Sequence, residues 1–134
     1  ADNEIWSYGE ENYEIMKKFI LIREKLRDYT RQLMEEAHEN GNPVIRALFY
    51  EFPQDAECWD ITDEYLYGPD ILVAPICHEG AMGREVYLPQ GAEWISAHDG
   101  SSYAGGQTLY FDAPIDTLPV FLRDGRQGYL VGEI

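Results

Sequence analysis

Basic residues are scarce in this chain. Ten Lys and Arg stand against 25 Asp and Glu in 134 residues, a formal net charge of −15. A deficit of that size argues against nucleic acid and against anionic membrane surfaces, because both are held by basic patches. Long hydrophobic runs are missing too: nothing approaches the roughly 18 uninterrupted apolar residues of a membrane span. The opening Ala1-Asp2-Asn3-Glu4 has neither the basic nor the apolar segment of a secretory signal. These absences predict a cytoplasmic chain with no nucleic-acid or membrane partner. Cysteine is limited to Cys58 and Cys77, far apart in sequence and expected to be reduced.

Chemical motifs are mostly absent as well. His38-Glu39 and His78-Glu79 open like a zinc-protease helix, but Asn42 and Met82 stand where the second His is needed. Cys58, Cys77 and His98 match no common zinc spacing. There is no acidic calcium loop, Gly-rich phosphate loop, nucleophile elbow or kinase signature. No metal and no cofactor is expected. Among the many carboxylates, Glu51 and Asp55 flanking Pro53 form the best candidate catalytic pair, with loop capping as the plainer role. Trp6, Trp59 and Trp94 raise the question of a sugar-stacking platform, against the commoner role of aromatics as core.

What is present reads as an ordinary globular domain, 45% hydrophobic and long enough to bury a core. Its charge is uneven. Residues 1–50 hold ten acids and seven bases; residues 51–134 hold fifteen acids and only Arg84, Arg123 and Arg126. The shift suggests two structural regimes. Residues 8–40 predict one long amphipathic helix, with Met16, Phe19, Ile22, Leu26, Tyr29, Leu33 and Ala37 on one stripe. Ser7 and Glu10 fit a capping box at its start, and Asn40-Gly41 before Pro43 a stop. Ile15, Ile20, Leu21 and Met34 add apolar surface off the stripe, as in a helix covered on more than one side.

The run from Val44 to Tyr50 has the look of a strand buried on both faces. Residues 51–70 read as loop. Beyond them lie short strand candidates at 71–76, 84–88, 93–97, 107–112, 118–123 and 128–132, with turn signals at Glu79-Gly80, Pro89-Gln90-Gly91, Asp99-Gly100 and Gly105-Gly106. That spacing predicts an antiparallel sandwich or barrel. The fold class is therefore α+β: a long N-terminal helix and one barrel-type strand (residues 1–64), then an antiparallel β-sandwich (65–134).

Three blocks in fixed order resemble the end of the catalytic region in glycoside hydrolase family 31, the α-glucosidase and α-xylosidase family. They are Leu21–Tyr29 with Glu36–Leu48; Glu51-Phe52-Pro53-Gln54-Asp55, Trp59-Asp60 and Tyr65–Ile76; and Val86–Trp94 closing with Ala113–Gly125. The resemblance implies that the helix and the Val44–Phe52 strand end a (β/α)₈ barrel, and that a proximal C-terminal sandwich follows from about Tyr65. It implies a parent enzyme that hydrolyses α-glycosidic bonds with retention, through two carboxylates about 5–5.5 Å apart and no metal. The family's nucleophile, acid/base and sugar-binding His lie upstream, so no catalytic residue is carried over. Arg46 matches a family Arg and reads as buried and ion-paired; Ala47 and Asp28 stand where the family usually has Pro. The implied partners are the upstream catalytic barrel and an α-linked sugar. A free-standing carbohydrate-binding or interaction module is the alternative, and the chain alone is expected to form a homodimer through its helix stripe and the strand at 43–52.

Overall fold

The computed structural model describes residues 17, 20–76, 82–112 and 118–134; Met16, Phe19, the expected capping box, the Glu79-Gly80 turn, Trp6 and Cys77 lie outside them. Helical residues 20–25 are interrupted by a turn at Leu26, and helix α1 then runs over Arg27–Asn40, 14 residues. The helix that packs is thus shorter than the unbroken one expected. It stops where the sequence says it should: Gly41 adopts φ 75° and its amide returns to the Ala37 carbonyl at 3.0 Å, a left-handed cap that glycine takes without a Cβ penalty.

The expected strand over the Val44–Tyr50 run is only two residues, β1 (Ile45–Arg46). At Ala47 the backbone leaves β1 extended and winds into a single helical turn, α2 (Leu48–Glu51). The turn splits the apolar run by direction: Leu48 goes fully into the core while Phe49 and Tyr50 face out. An uninterrupted strand would have alternated them instead. Seven more strands follow: β2 (Tyr65–Tyr67), β3 (Ile71–Val73), β4 (Gly83–Leu88), β5 (Glu93–Ser96), β6 (Ser102–Ala104), β7 (Gln107–Asp112) and β8 (Val120–Arg123). The segment at 128–132 is not a strand; Gly128–Leu130 is a 3₁₀ turn.

One sheet has the order β1-β2-β3-β8-β5-β6 and the other pairs β4 with β7, with antiparallel neighbours throughout. The α+β class and antiparallel sandwich are as expected from sequence. The larger sheet, however, begins with β1, ahead of residue 65.

The larger sheet is apolar on both faces. Leu66, Leu72, Trp94 and Phe121 join Val86 and Leu88 in the core between the sheets, with Leu48 and Phe52. Ile71, Val73, Val120 and Leu122 look the other way, into a second core built with Tyr29 and Leu33 of α1 and with Ala97, Leu130 and Ile134. Strands covered on both faces read as continuous apolar runs, which is how Ile71-Leu72-Val73 and Val120-Phe121-Leu122 appear in the sequence. The stripe on α1 is therefore consumed within its own chain. Of the two elements through which a homodimer was expected, Tyr29 and Leu33 of the helix stripe pack on their own sheet, while Ile45, Phe49 and Tyr50 stay exposed.

Helix and sheet are pinned by one phenol. The Tyr29 hydroxyl donates to the Tyr67 carbonyl at 2.7 Å and accepts from the Asp70 amide at 3.1 Å. The turn between β2 and β3 comes close enough for this because Gly68, at φ 62°, has no side chain; a Cβ there would land on the Tyr29 hydroxyl and the Leu33 methyls.

Candidate functional site

The Glu51 and Asp55 region is tightly built. Glu51 closes α2 and places its carboxylate between two guanidinium groups: Arg46 Nη1 donates to Oε2 at 2.8 Å and Arg123 Nη1 to Oε1 at 2.9 Å. Arg46 also donates from Nε to the Pro43 carbonyl, so it is the buried, ion-paired residue expected from sequence. Arg123 comes from β8, 72 positions away, and lies 4.4 Å over the Phe52 ring. A charge-assisted fork of this kind is among the stronger polar contacts available.

Asp55 caps the 3₁₀ turn Ala56–Trp59. Its Oδ1 accepts from the Glu57 amide at 3.1 Å; its Oδ2 accepts from the Tyr87 hydroxyl at 2.6 Å and the Gln90 amide at 2.9 Å. Burial alone would raise the Asp55 carboxyl. The hydrogen bonds from Tyr87, Gln90 and Glu57 outweigh it and hold the group below the usual carboxylate range. A proton donor needs the opposite shift. Both oxygens of both carboxylates are thus engaged: Asp55 takes the plainer capping role, while Glu51 bridges two arginines.

Below this loop Cys58 is fully buried, and burial first, then Asp55, pushes its thiol up to about 12. His98 is turned towards the Ile134 carbonyl, Nδ1 at 3.2 Å. Among the described residues no group of three His, Cys, Asp or Glu could hold a metal ion, and no helix is long and apolar enough to cross a membrane.

Glu64, which sequence reading passed over, is a strongly perturbed carboxyl. Its side chain is 2% exposed. Oε1 accepts from the Tyr87 amide at 2.7 Å and lies 3.6 Å from Arg84 Nη2, while Oε2 has no hydrogen-bond partner. Burial pushes its pKa up to about 7 against the opposing pull of the Tyr87 amide and Arg84. Arg84 is itself held by the carbonyls of Asp63 and Pro75, each at 2.9 Å. No sequence pattern marks Glu64, because its state depends on the Tyr87 amide of β4, 23 positions away.

The tryptophans divide. Trp94 has no exposed surface, its indole N–H donates to the Pro89 carbonyl at 2.9 Å, and Phe52 packs 5.7 Å from its ring. It is core, as expected. Trp59 is not: it is 55% exposed, although its N–H is tied to the Pro53 carbonyl at 3.1 Å. Its ring stacks on Phe49 with centroids 4.4 Å apart and planes at 12°.

Comparison with known proteins sets this architecture in a family. Residues 41–126 match the glycosyl hydrolase family 31 C-terminal domain. The chain is 38% identical over 122 residues to Alpha-glucosidase 2 of Bacillus thermoamyloliquefaciens, covering 91% of this chain and 15% of that protein. It is 36% identical over 123 residues to human Neutral alpha-glucosidase AB, covering 91% and 13%. The structure superposes with a TM-score of 0.93 and 48% identity on a GH31 alpha-xylosidase from a soil metagenome, solved with xylose, over 98% of this chain and 20% of that one. The chain thus spans a fifth or less of the length of these relatives. Two packed antiparallel sheets, a helix laid across the larger one, and a family match over most of the sheet-forming residues lead to one conclusion: this chain belongs to glycosyl hydrolase family 31, and residues 41–126 form the family's C-terminal domain.

Proposed function

We propose that the chain is the non-catalytic C-terminal part of a retaining α-glycosidase that acts on α-linked glucosides or xylosides. In this reading it supports an upstream catalytic barrel rather than contacting the scissile bond. One observation carries the non-catalytic role: Glu51 and Asp55, the best carboxylate pair in the sequence, have all four oxygens committed to Arg46, Arg123, Tyr87 and backbone amides. Retention needs one carboxyl free to attack and a second free to carry a proton. α-Xylosides are the first substrates to try, because the solved relative at 48% identity is an alpha-xylosidase, and α-glucosides the second.

The test compares the purified 134-residue chain with the longer polypeptide that carries it, using nitrophenyl α-xyloside and α-glucoside. The longer polypeptide turns over at least one; the chain alone turns over neither. Activity in the chain that disappears in Glu51→Ala or Asp55→Ala would overturn the assignment. The alternative of a free-standing carbohydrate-binding module draws on the exposed Trp59 indole, and requires the isolated chain to bind maltose or xylose-containing oligosaccharides by calorimetry.

A further inference from the structure

The end of the sandwich where β5 and β7 finish and β8 begins holds a cleft of about 440 Å³. That size falls at the low end for small-molecule sites. Its wall is aromatic and fixed. Phe111 and Phe121 pack with ring centroids 4.7 Å apart, and Tyr103 of β6 stands edge-on to both, at 5.2 and 6.4 Å. The loop after β5 is set by its own hydrogen bonds: the Ser96 hydroxyl accepts from the His98 amide at 3.2 Å, and Asp99 Oδ1 from the Ser101 amide at 2.9 Å. Other polar groups of the lining stay unused. The phenols of Tyr103 and Tyr110 and the carboxylate of Asp112 have no hydrogen-bond or ion-pair partner among the described residues. No Lys or Arg lines the cleft.

We propose that this cleft is an accessory site for a neutral pyranose sugar, of the short α-linked gluco- or xylo-oligosaccharide class; that choice of ligand rests on the chain being part of an α-glycosidase, as proposed above. The chemistry of the lining decides against other classes. An anionic ligand would meet Asp99 and Asp112 with no Lys or Arg to offset them. A purely apolar ligand would cover Asp112 and two phenols without pairing them. A sugar satisfies both kinds of surface. Its C–H face packs on a phenol ring, and Tyr110 offers one that is 61% exposed. Its hydroxyls donate, and Asp112 is an acceptor-only group with no partner of its own. Because Tyr103 is already held by two Phe rings, little freedom is lost when its hydroxyl pairs with the ligand. Glu51, Asp55 and Trp59 line no part of the cleft.

The experiment titrates the 134-residue chain with maltose and with a xylosyl-glucose disaccharide, read by amide NMR. Amides of residues 96–103 and 107–112 shift with millimolar affinity, while those of 27–40 and 56–60 stay in place. Tyr103→Phe and Asp112→Asn remove one hydroxyl and one charge; each weakens binding about 3–10-fold, with a melting midpoint within about 2 °C of the parent. In the intact polypeptide, the same sugars lower hydroxyl-radical modification of Tyr110. Several results overturn the site: no shift at tens of millimolar sugar, shifts confined to residues 56–60, which would make Trp59 the platform, or parental affinity in both variants. Tighter binding of spermidine, abolished by salt, would make the cleft a cation site instead. Undiminished Tyr110 modification in the intact polypeptide overturns it as well. An intact polypeptide that hydrolyses no α-glycoside yet protects Tyr110 sinks the function proposed above and leaves the cleft standing. One that hydrolyses them with Tyr110 unprotected does the opposite, so the two failures are distinguishable.

Discussion

Trp94 and Glu64 are both buried but lie at opposite ends of the cost scale for burial. Trp94 has both of its needs met, an apolar surround and a carbonyl for its N–H. Truncation to alanine leaves a cavity that the two sheets cannot close, so Trp94→Ala is expected to cost about 3–5 kcal/mol, measurable as a lowered denaturant midpoint with the sugar-free chain. Glu64 is the reverse case. Its folded pKa of about 7 lies above the model-peptide value of 4.5. The folded state therefore holds a proton that the unfolded state has released, and stability falls as pH rises from about 4.5 to 7, then levels off. Glu64→Gln keeps the acceptor for the Tyr87 amide and removes the charge. It should abolish that slope and leave the variant more stable than the parent at pH 8, by on the order of 3 kcal/mol at most. Urea midpoints at pH 5 and pH 8 decide it; a parent no less stable at pH 8 would show that Arg84 and the Tyr87 amide hold Glu64 as an ordinary carboxylate.

At the scale of elements, α1 depends on the Tyr29 hydroxyl and on the space Gly68 leaves for it. Tyr29→Phe deprives the Tyr67 carbonyl and the Asp70 amide of their partner, at about 1–3 kcal/mol. Gly68→Ala should cost more, since it adds a left-handed backbone penalty to a collision with the helix. Hydrogen exchange supplies the readout: amides of residues 27–40 should exchange faster in both variants, while β7 is unchanged. Faster exchange spread evenly over the sheets would mean that the helix and the sandwich unfold together. The same elements show what sequence can and cannot tell. The stop at Gly41, the turns at Gly91, Gly100 and Gly106 with positive φ, and the alternation Gln107 to Asp112 were legible because each is a local signal. β2 and β6, three residues each, are too short to display alternation and read as loop. The Val44–Tyr50 run is ambiguous in principle, since a continuous apolar run suits a buried strand and a helical turn alike.

For the whole molecule, the family, the capping role of Asp55 and the buried ion pair of Arg46 were readable from the residues, whereas the Phe49–Trp59 stack and the perturbed Glu64 were not. Both depend on contacts that local periodicity does not encode: ten positions separate Phe49 from Trp59, and 23 separate Glu64 from Tyr87. The order of the larger sheet has a further consequence, in time rather than space. β8 lies between β3 and β5, and Arg123 at its end reaches back to Glu51. As the chain leaves a ribosome, β3 and β5 are each made long before their common neighbour. Until residues 120–123 emerge, neither core is closed on that side, and β1 to β7 wait as paired ribbons with exposed edges. Such a domain folds late and all at once, and during synthesis its open strands must be kept apart from one another and from their neighbours.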